Sequence, residues 1–243
     1  MTMSLTSSKL DSSATERSNQ RNSPELSSPM RVVRSILEGL YQGRYVPGQR
    51  LAEADLMRAF GVSRGSVREA LNRLEAEGVV TLTRNKGAYI RALTRSDAED
   101  ALAIVEVVIG LAARLAADHI DAPGSRTLLE GCLARLSDAP TRSDSLAFIK
   151  ARNGFYRALV KIGGNKELGR MLPGMQVHLL RVQFRSFLTM QDEMRSNDYQ
   201  RMSDAILRGK SLLAEREARR HIRNVRSSIV ALADDAFAQP RSV

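Results

Sequence analysis

Cysteine is almost absent. Cys132 stands alone in a chain of 243 residues, which excludes an internal disulfide framework and any zinc site built on thiolates. It lies between Gly131 and Leu133 in a helical pattern, the setting of a small buried core residue rather than a reactive thiol. Histidine is scarce too, at three residues, and there is no paired His/Cys set, GxSxG, HExxH or P-loop. The Gly163-Gly164-Asn165 bend reads as a helix break and cradles no phosphate by itself. An enzyme is therefore not expected, and no residue is marked as catalytic. Apolar runs are short of the roughly 20 residues a membrane span needs. The polar start lacks the apolar core of a signal peptide, so the expected location is the cytoplasm. No repeat of fixed period is present.

Basic residues are abundant. Lys and Arg number 37 against 27 Asp and Glu, a formal net charge of +10 and a sequence pI near 10.3. Such a balance favours a polyanionic partner, nucleic acid above all. The 43% hydrophobic content is enough for one large or two small cores.

Residues 1–28 are rich in Ser, Thr and Asn and are expected to form a disordered tail, because they cannot bury enough to offset their chain entropy. From Met30 the pattern changes. Val32, Val33, Ile36, Leu37 and Leu40 recur at helical spacing up to Gly43 and Pro47-Gly48. Glu53 opens a second helix with Leu56, Met57 and Phe60, stopped by Gly61. Ser63 is the N-cap of a third, whose buried stripe is Val67, Ala70, Leu71 and Leu74. Val79 to Thr83 and Ala88 to Ala92 alternate like strands around Arg84-Asn85-Lys86-Gly87, a hairpin turn. Three helices followed by a hairpin is the order of a winged helix-turn-helix, over 29–93.

After Leu93 the strand signal vanishes. Ser96 is read as the cap of a long helix ending near His119, where the dipole favours an imidazolium. Helical patterns follow at 125–137, 144–162, 165–171, 174–196, 198–208 and 211–237. They are broken at Ala139-Pro140, Gly163-Gly164, Pro173-Gly174, Ser196-Asn197 and Gly209. The expected fold is mainly α: the winged helix-turn-helix, then an all-α antiparallel bundle over 96–237.

The third helix carries the chemistry. Arg64 and Arg68 stand one turn apart at its N-terminal end, off the apolar stripe. A guanidinium fork donates to guanine O6 and N7 or clasps a phosphate. Ser63 and Ser66 are short donors for phosphate contacts, and Lys86 beside Gly87 suits a minor groove. Alone, the two arginines also fit a solvated face balanced by Glu69 and Glu75. The element order and the hairpin decide for DNA.

The run LAEADLMRAFGVSRGSVREALNRLEAEGVV followed by LTRNKGAYI closely resembles the DNA-binding domain of the GntR family of bacterial regulators. The resemblance implies that Arg64 and Arg68 read bases, Ser63 and Ser66 touch the backbone, and Lys86 with Gly87 form the wing tip. Ala54 departs from members with a further arginine there. The helical remainder, through LAARLAA, FYRALVKIGGN and DAILRGKSLLAEREARRHI, resembles the ligand-binding FCD domain of the FadR-like branch. Many members hold a divalent metal there with one carboxylate and three histidines. Those positions fall on Arg152, Tyr156, Tyr199 and His221, so only His221 survives, and Val105 and Ile109 replace a usual arginine and acid. No metal and no other cofactor is expected, since arginine offers no lone pair. Arg152, Tyr156, Tyr199 and His221 instead suit an anionic group such as a carboxylate. Arg181 and Arg185, one turn apart, extend that pocket or form a solvated face. His178 is left open between pocket and surface. In EREARRHIRNVR, Glu215 and Arg219 are spaced to pair, and Arg216, Arg220 and Arg223 are expected on a solvated face.

The expected function is that of a repressor of transcription. It binds a roughly palindromic double-stranded operator as a homodimer, associating with the nucleoid when DNA-bound, and its affinity answers to a small molecule. The alternative is a regulator without effector, the helical domain serving only to dimerise.

Overall fold

A computed structural model describes residues 26–83, 87–139, 146–174, 180, 182–184 and 192–239. Helix α1, Ser28–Tyr41, carries Pro29 in its first turn and packs Val32, Val33, Ile36 and Leu40 inward. It thus absorbs the last residue assigned to the tail. Helix α2, Glu53–Phe60, stops at Gly61, whose φ of 61° is left-handed, a conformation that costs glycine nothing. Helix α3, Arg64–Ala76, opens three residues after that glycine and buries Val67, Ala70, Leu71 and Leu74 against α1 and α2.

The sheet has three strands where two are expected. Strand β1, Arg50–Leu51, is too short to leave a periodic signal, yet it pairs antiparallel with β3, Gly87–Ile90, placing Arg50 opposite Tyr89. Strand β2, Val80–Thr83, pairs with the other edge of β3, so the order is β1-β3-β2.

Helix α4, Arg95–Asp118, is the axis of the second half. Its cap is Thr94 rather than Ser96. The Thr94 hydroxyl accepts from the Asp97 amide at 3.1 Å, and Asp97 accepts from the Thr94 amide at 3.0 Å, a reciprocal capping box. After α4 come α5, Ser125–Ser137, α6, Leu146–Gly163, α7, Lys166–Gly174, α8, Asp192–Leu207, and α9, Ser211–Val230. The contacts of α4 are mainly with α9 and α6, then α8. At Gly163 the α6 and α4 backbones approach so closely that a Cβ would lie 2.8 Å from the Leu115 Cβ. One apolar core runs from Val32 to Phe237.

Three expected boundaries move. The Ser196-Asn197 break does not exist, because α8 runs through it. Pro173-Gly174 falls inside the end of α7, and residues 175–179, 181 and 185–191 of the expected 174–196 helix lie outside the described residues. The last helix stops at Val230, not 237, and a separate 3-10 turn covers Asp234–Ala236. Cys132 is buried in α5 as expected. No described helix is long and apolar enough to cross a membrane.

Candidate nucleic-acid interface and buried polar cluster

The N-terminal end of α3 is built by its cap. Ser63 Oγ accepts from the Ser66 amide at 3.2 Å and lies 3.0 Å from the Ser66 hydroxyl, satisfying one of the orphan donors of the first turn. Val67 and Ala70 point into the core, while at the open N-terminal end of the helix the Arg64 and Arg68 side chains are 72% and 68% exposed. The arginines are not simply solvated. Arg64 Nε donates to Glu53 Oε2 at 3.0 Å, and Arg68 Nε lies 4.0 Å from Glu53 Oε1. Glu53, in the first turn of α2, therefore stands between the two guanidiniums. The balancing charge comes from this residue rather than from Glu69 and Glu75, and a pairing eleven residues apart leaves no periodic trace in the sequence. Glu75 instead accepts from the Leu82 amide at 3.0 Å, fastening the wing to α3.

At the wing, Gly87 has a φ of 96°, and a Cβ there would lie 3.7 Å from Arg50 Nε. Arg50, which no sequence motif marks, thus places a guanidinium beside the wing. Lys86 lies outside the described residues.

In the helical half, three of the expected positions meet. The Tyr156 and Tyr199 hydroxyls are 3.2 Å apart, and the Tyr199 and His221 rings stack obliquely at 4.8 Å between centroids. Arg152 stands one turn before Tyr156 in α6, with its guanidinium 5.6 Å from the Phe148 ring centre. Its Nε is buried without a hydrogen-bond partner among the described residues. Arg181, Arg185 and His178 lie outside the described residues.

Two carboxylates join this cluster without any signal in the sequence. Asp198, 4% exposed, accepts from His221 Nδ1 at 3.1 Å and pairs with Arg201. Burial pushes its carboxyl upward, but the hydrogen bond and charge of His221, with Arg201, outweigh that and hold it below the ordinary aspartate range. Glu217 is also buried; it pairs with Arg220 and lies 3.5 Å from Arg201 Nε. Arg220 and Arg223 are therefore tied rather than simply solvated, the latter to Glu106 at 2.8 Å. Glu215 and Arg219 pair at 2.8 Å as expected.

The two halves meet at Leu93. Gln183 accepts from the Leu93 amide at 2.7 Å and donates to the Leu93 carbonyl at 2.7 Å and to the Ala236 carbonyl at 3.1 Å. Ala238 donates to that same Leu93 carbonyl at 3.0 Å. Arg95 donates to the Val230 and Leu232 carbonyls and to Asp234, and lies over the Phe237 ring at 4.2 Å. The segment joining wing to bundle is thus bonded to residue 183 and to the C-terminal turn.

Comparison with known proteins agrees with this geometry. Residues 30–90 match the model for bacterial regulatory proteins of the gntR family, and residues 100–224 match the FCD domain. The chain is 29% identical over 146 residues to the HTH-type transcriptional regulator YdhC of Bacillus subtilis (strain 168), a stretch covering 59% of this chain and 65% of that one. It is 24% identical over 187 residues, 77% of this chain and 82% of the other, to the "Probable D-xylose utilization operon transcriptional repressor" of Paenarthrobacter nicotinovorans. Among solved structures, a GntR transcriptional regulator from Rhodococcus sp. RHA1 superposes with a TM-score of 0.71 at 20% identity, covering 86% of this chain and all of that one. E. coli McbR/YncC gives 0.72 at 17% identity, covering 84% and 98%. At such identities the likeness is one of fold.

Proposed function

The chain belongs to the GntR family of bacterial regulatory proteins, with an FCD domain behind its winged helix, and from that premise we propose that this transcriptional regulator is a ligand-responsive repressor. It binds a roughly palindromic operator as a homodimer. The observation that carries the DNA reading is the pair of exposed guanidiniums, Arg64 and Arg68, at the capped end of α3. That end of a recognition helix meets base edges in the major groove, with Ser63 and Ser66 toward phosphates and Gly87 at the wing. Repression as the sign of control is supported by the name of the Paenarthrobacter relative.

The effector we propose is a small anion, a carboxylate in particular, held around Arg152, Tyr156, Tyr199 and His221, with Arg181 and Arg185 as further donors. The buried Nε of Arg152, without a partner among the described residues, supports it, because such a donor is costly unless something accepts from it. A divalent metal does not fit these residues. Arg152 supplies positive charge where a carboxylate is needed, and Tyr156 and Tyr199, their hydroxyls 3.2 Å apart, stand where two imidazoles are needed. Gln183, between positions 181 and 185, touches the Leu93 backbone directly. A ligand that shifts this segment has a short route to the wing, provided it binds the DNA-free and DNA-bound arrangements unequally.

A second reading, dimerisation without effector, is favoured by Asp198 and Glu217, whose charges are already met by His221, Arg201 and Arg220. Fluorescence anisotropy with DNA from upstream of the protein's own reading frame tests the first claim. Binding no tighter than to random duplex would sink it. Thermal shift against a panel of small mono- and dicarboxylates tests the second: stabilisation that Arg152→Ala abolishes supports the anion site. A panel with no stabilising member favours the effector-free reading.

A further inference from the structure

Most of α4 is covered by α6, α8 and α9, yet Ile104, Val107 and Leu111 face solvent at 56%, 51% and 37% exposure. They recur at spacings of three and four, with the exposed Ala103 beside them, so they form one row along the helix. Three large aliphatic side chains in a row are a patch rather than scattered exposure. Charge bounds the row at both ends. Asp100 lies seven residues before Val107 and Arg114 seven after, both exposed. Residues seven apart fall nearly on one line of an α-helix.

We propose that this face is the contact between two copies of the chain, their α4 helices antiparallel about a two-fold axis through Val107. This rests on the homodimer reading above and adds the face, the direction and the register. An antiparallel pair centred there sets Asp100 of each copy opposite Arg114 of the other, and Ile104 against Leu111. A parallel pair would set Asp100 against Asp100 and Arg114 against Arg114, which like-charge repulsion disfavours. Arg114 is steered from its own chain by Glu215, 3.7 Å away, which also holds Arg219 at 2.8 Å. The contact is isologous, so it closes at two copies. It also sends the two winged helices, which join α4 at residue 95, to opposite ends of the pair. At about 1.5 Å per residue the two α4 starts lie about 36 Å apart, the scale of one turn of duplex, about 34 to 36 Å between half-sites.

The test uses the full chain. Sedimentation equilibrium gives the mass of the wild type and of D100R, R114D and D100R/R114D, with circular dichroism confirming that each is folded. In parallel, V107C is oxidised, the buried Cys132 of the wild type serving as control. A two-chain wild type is expected. Each single charge reversal weakens the dimer by at least about tenfold, the double reversal restores it, and V107C cross-links to itself. A wild-type dimer that both reversals leave intact, with V107C uncross-linked, overturns this face while the homodimer reading stands. A single-chain wild type overturns both.

Discussion

Glu53 Oε2 accepts a hydrogen bond from Arg64 Nε at 3.0 Å, and the other oxygen of that carboxylate lies 4.0 Å from Arg68 Nε. One acid from α2 thus sits between the two guanidiniums that α3 presents to solvent. As an exposed ion pair it is worth about 0 to 1 kcal/mol of fold stability, so its consequence lies in recognition. It orients two long side chains before DNA arrives, and it subtracts a charge from the surface that meets phosphates.

Glu53→Gln keeps the shape and removes the charge. Random duplex is expected to bind more tightly, with a salt dependence steeper by about 0.9 in the log-log slope, while the preference for operator over random DNA falls. Anisotropy titrations at several salt concentrations read both. Unchanged non-specific affinity would show that the carboxylate does not bear on the phosphate contacts.

Arg68→Ala is expected to cost about 1 to 3 kcal/mol of operator binding and to relax specificity at one base pair. A panel of single-base operator variants checks it. Uniform weakening over all variants would make Arg68 a phosphate contact.

Gln183→Ala leaves the amide of Leu93, a residue with no exposed surface, without its acceptor. The loss of fold stability is expected at about 1 to 3 kcal/mol, read by urea unfolding. Operator affinity should also become less responsive to whichever carboxylate stabilises the wild type. Full responsiveness in a folded Gln183→Ala protein would exclude this route.

Asp198 and Asp97 both hold their protons less tightly when folded than an ordinary aspartate. For Asp198 burial is opposed and outweighed by His221 and Arg201; for Asp97 burial is likewise outweighed, by hydrogen bonds from Thr94 and the charge of Arg91. A depressed folded value contributes stability above the unfolded pKa, near 3.9, and that contribution is lost as pH falls through the folded value. The urea midpoint should therefore drop below about pH 4, and Asp198→Asn should flatten that acid limb. An Asp198→Asn protein with an unaltered limb would assign it to other groups.

The recognition helix is legible in the sequence because its information is local. Ser63 caps it, Val67 to Leu74 set its buried side, and Arg64 and Arg68 stand at its N-terminal end, where the first turn is open to solvent. What sequence does not supply is long-range. Gln183 meets Leu93 across ninety residues, and Asp198 meets His221 across two helices. Ser196-Asn197 reads as a break yet stays helical, because polar residues of modest helix propensity yield to packing: Tyr199, Met202 and Ile206 of α8 are buried. Ser96 and Thr94 compete as cap because either hydroxyl suits the role and each has an acid three residues on, Glu99 and Asp97. The motif alone does not separate them, and the structure uses Thr94 with Asp97.

The join at Leu93 is made through backbone atoms on one side and a side-chain amide on the other. Its hydrogen bonds therefore need only the backbone N–H and C=O of position 93, whose leucine side chain packs in the core, but they depend on which residue occupies 183. A chimaera that grafts this winged helix onto a foreign helical domain would be continuous in chain yet mechanically uncoupled, unless the graft brings an amide of the same reach. Such hybrids would be expected to bind the operator and ignore the donor domain's ligand, until a glutamine is placed where it can grip the linker.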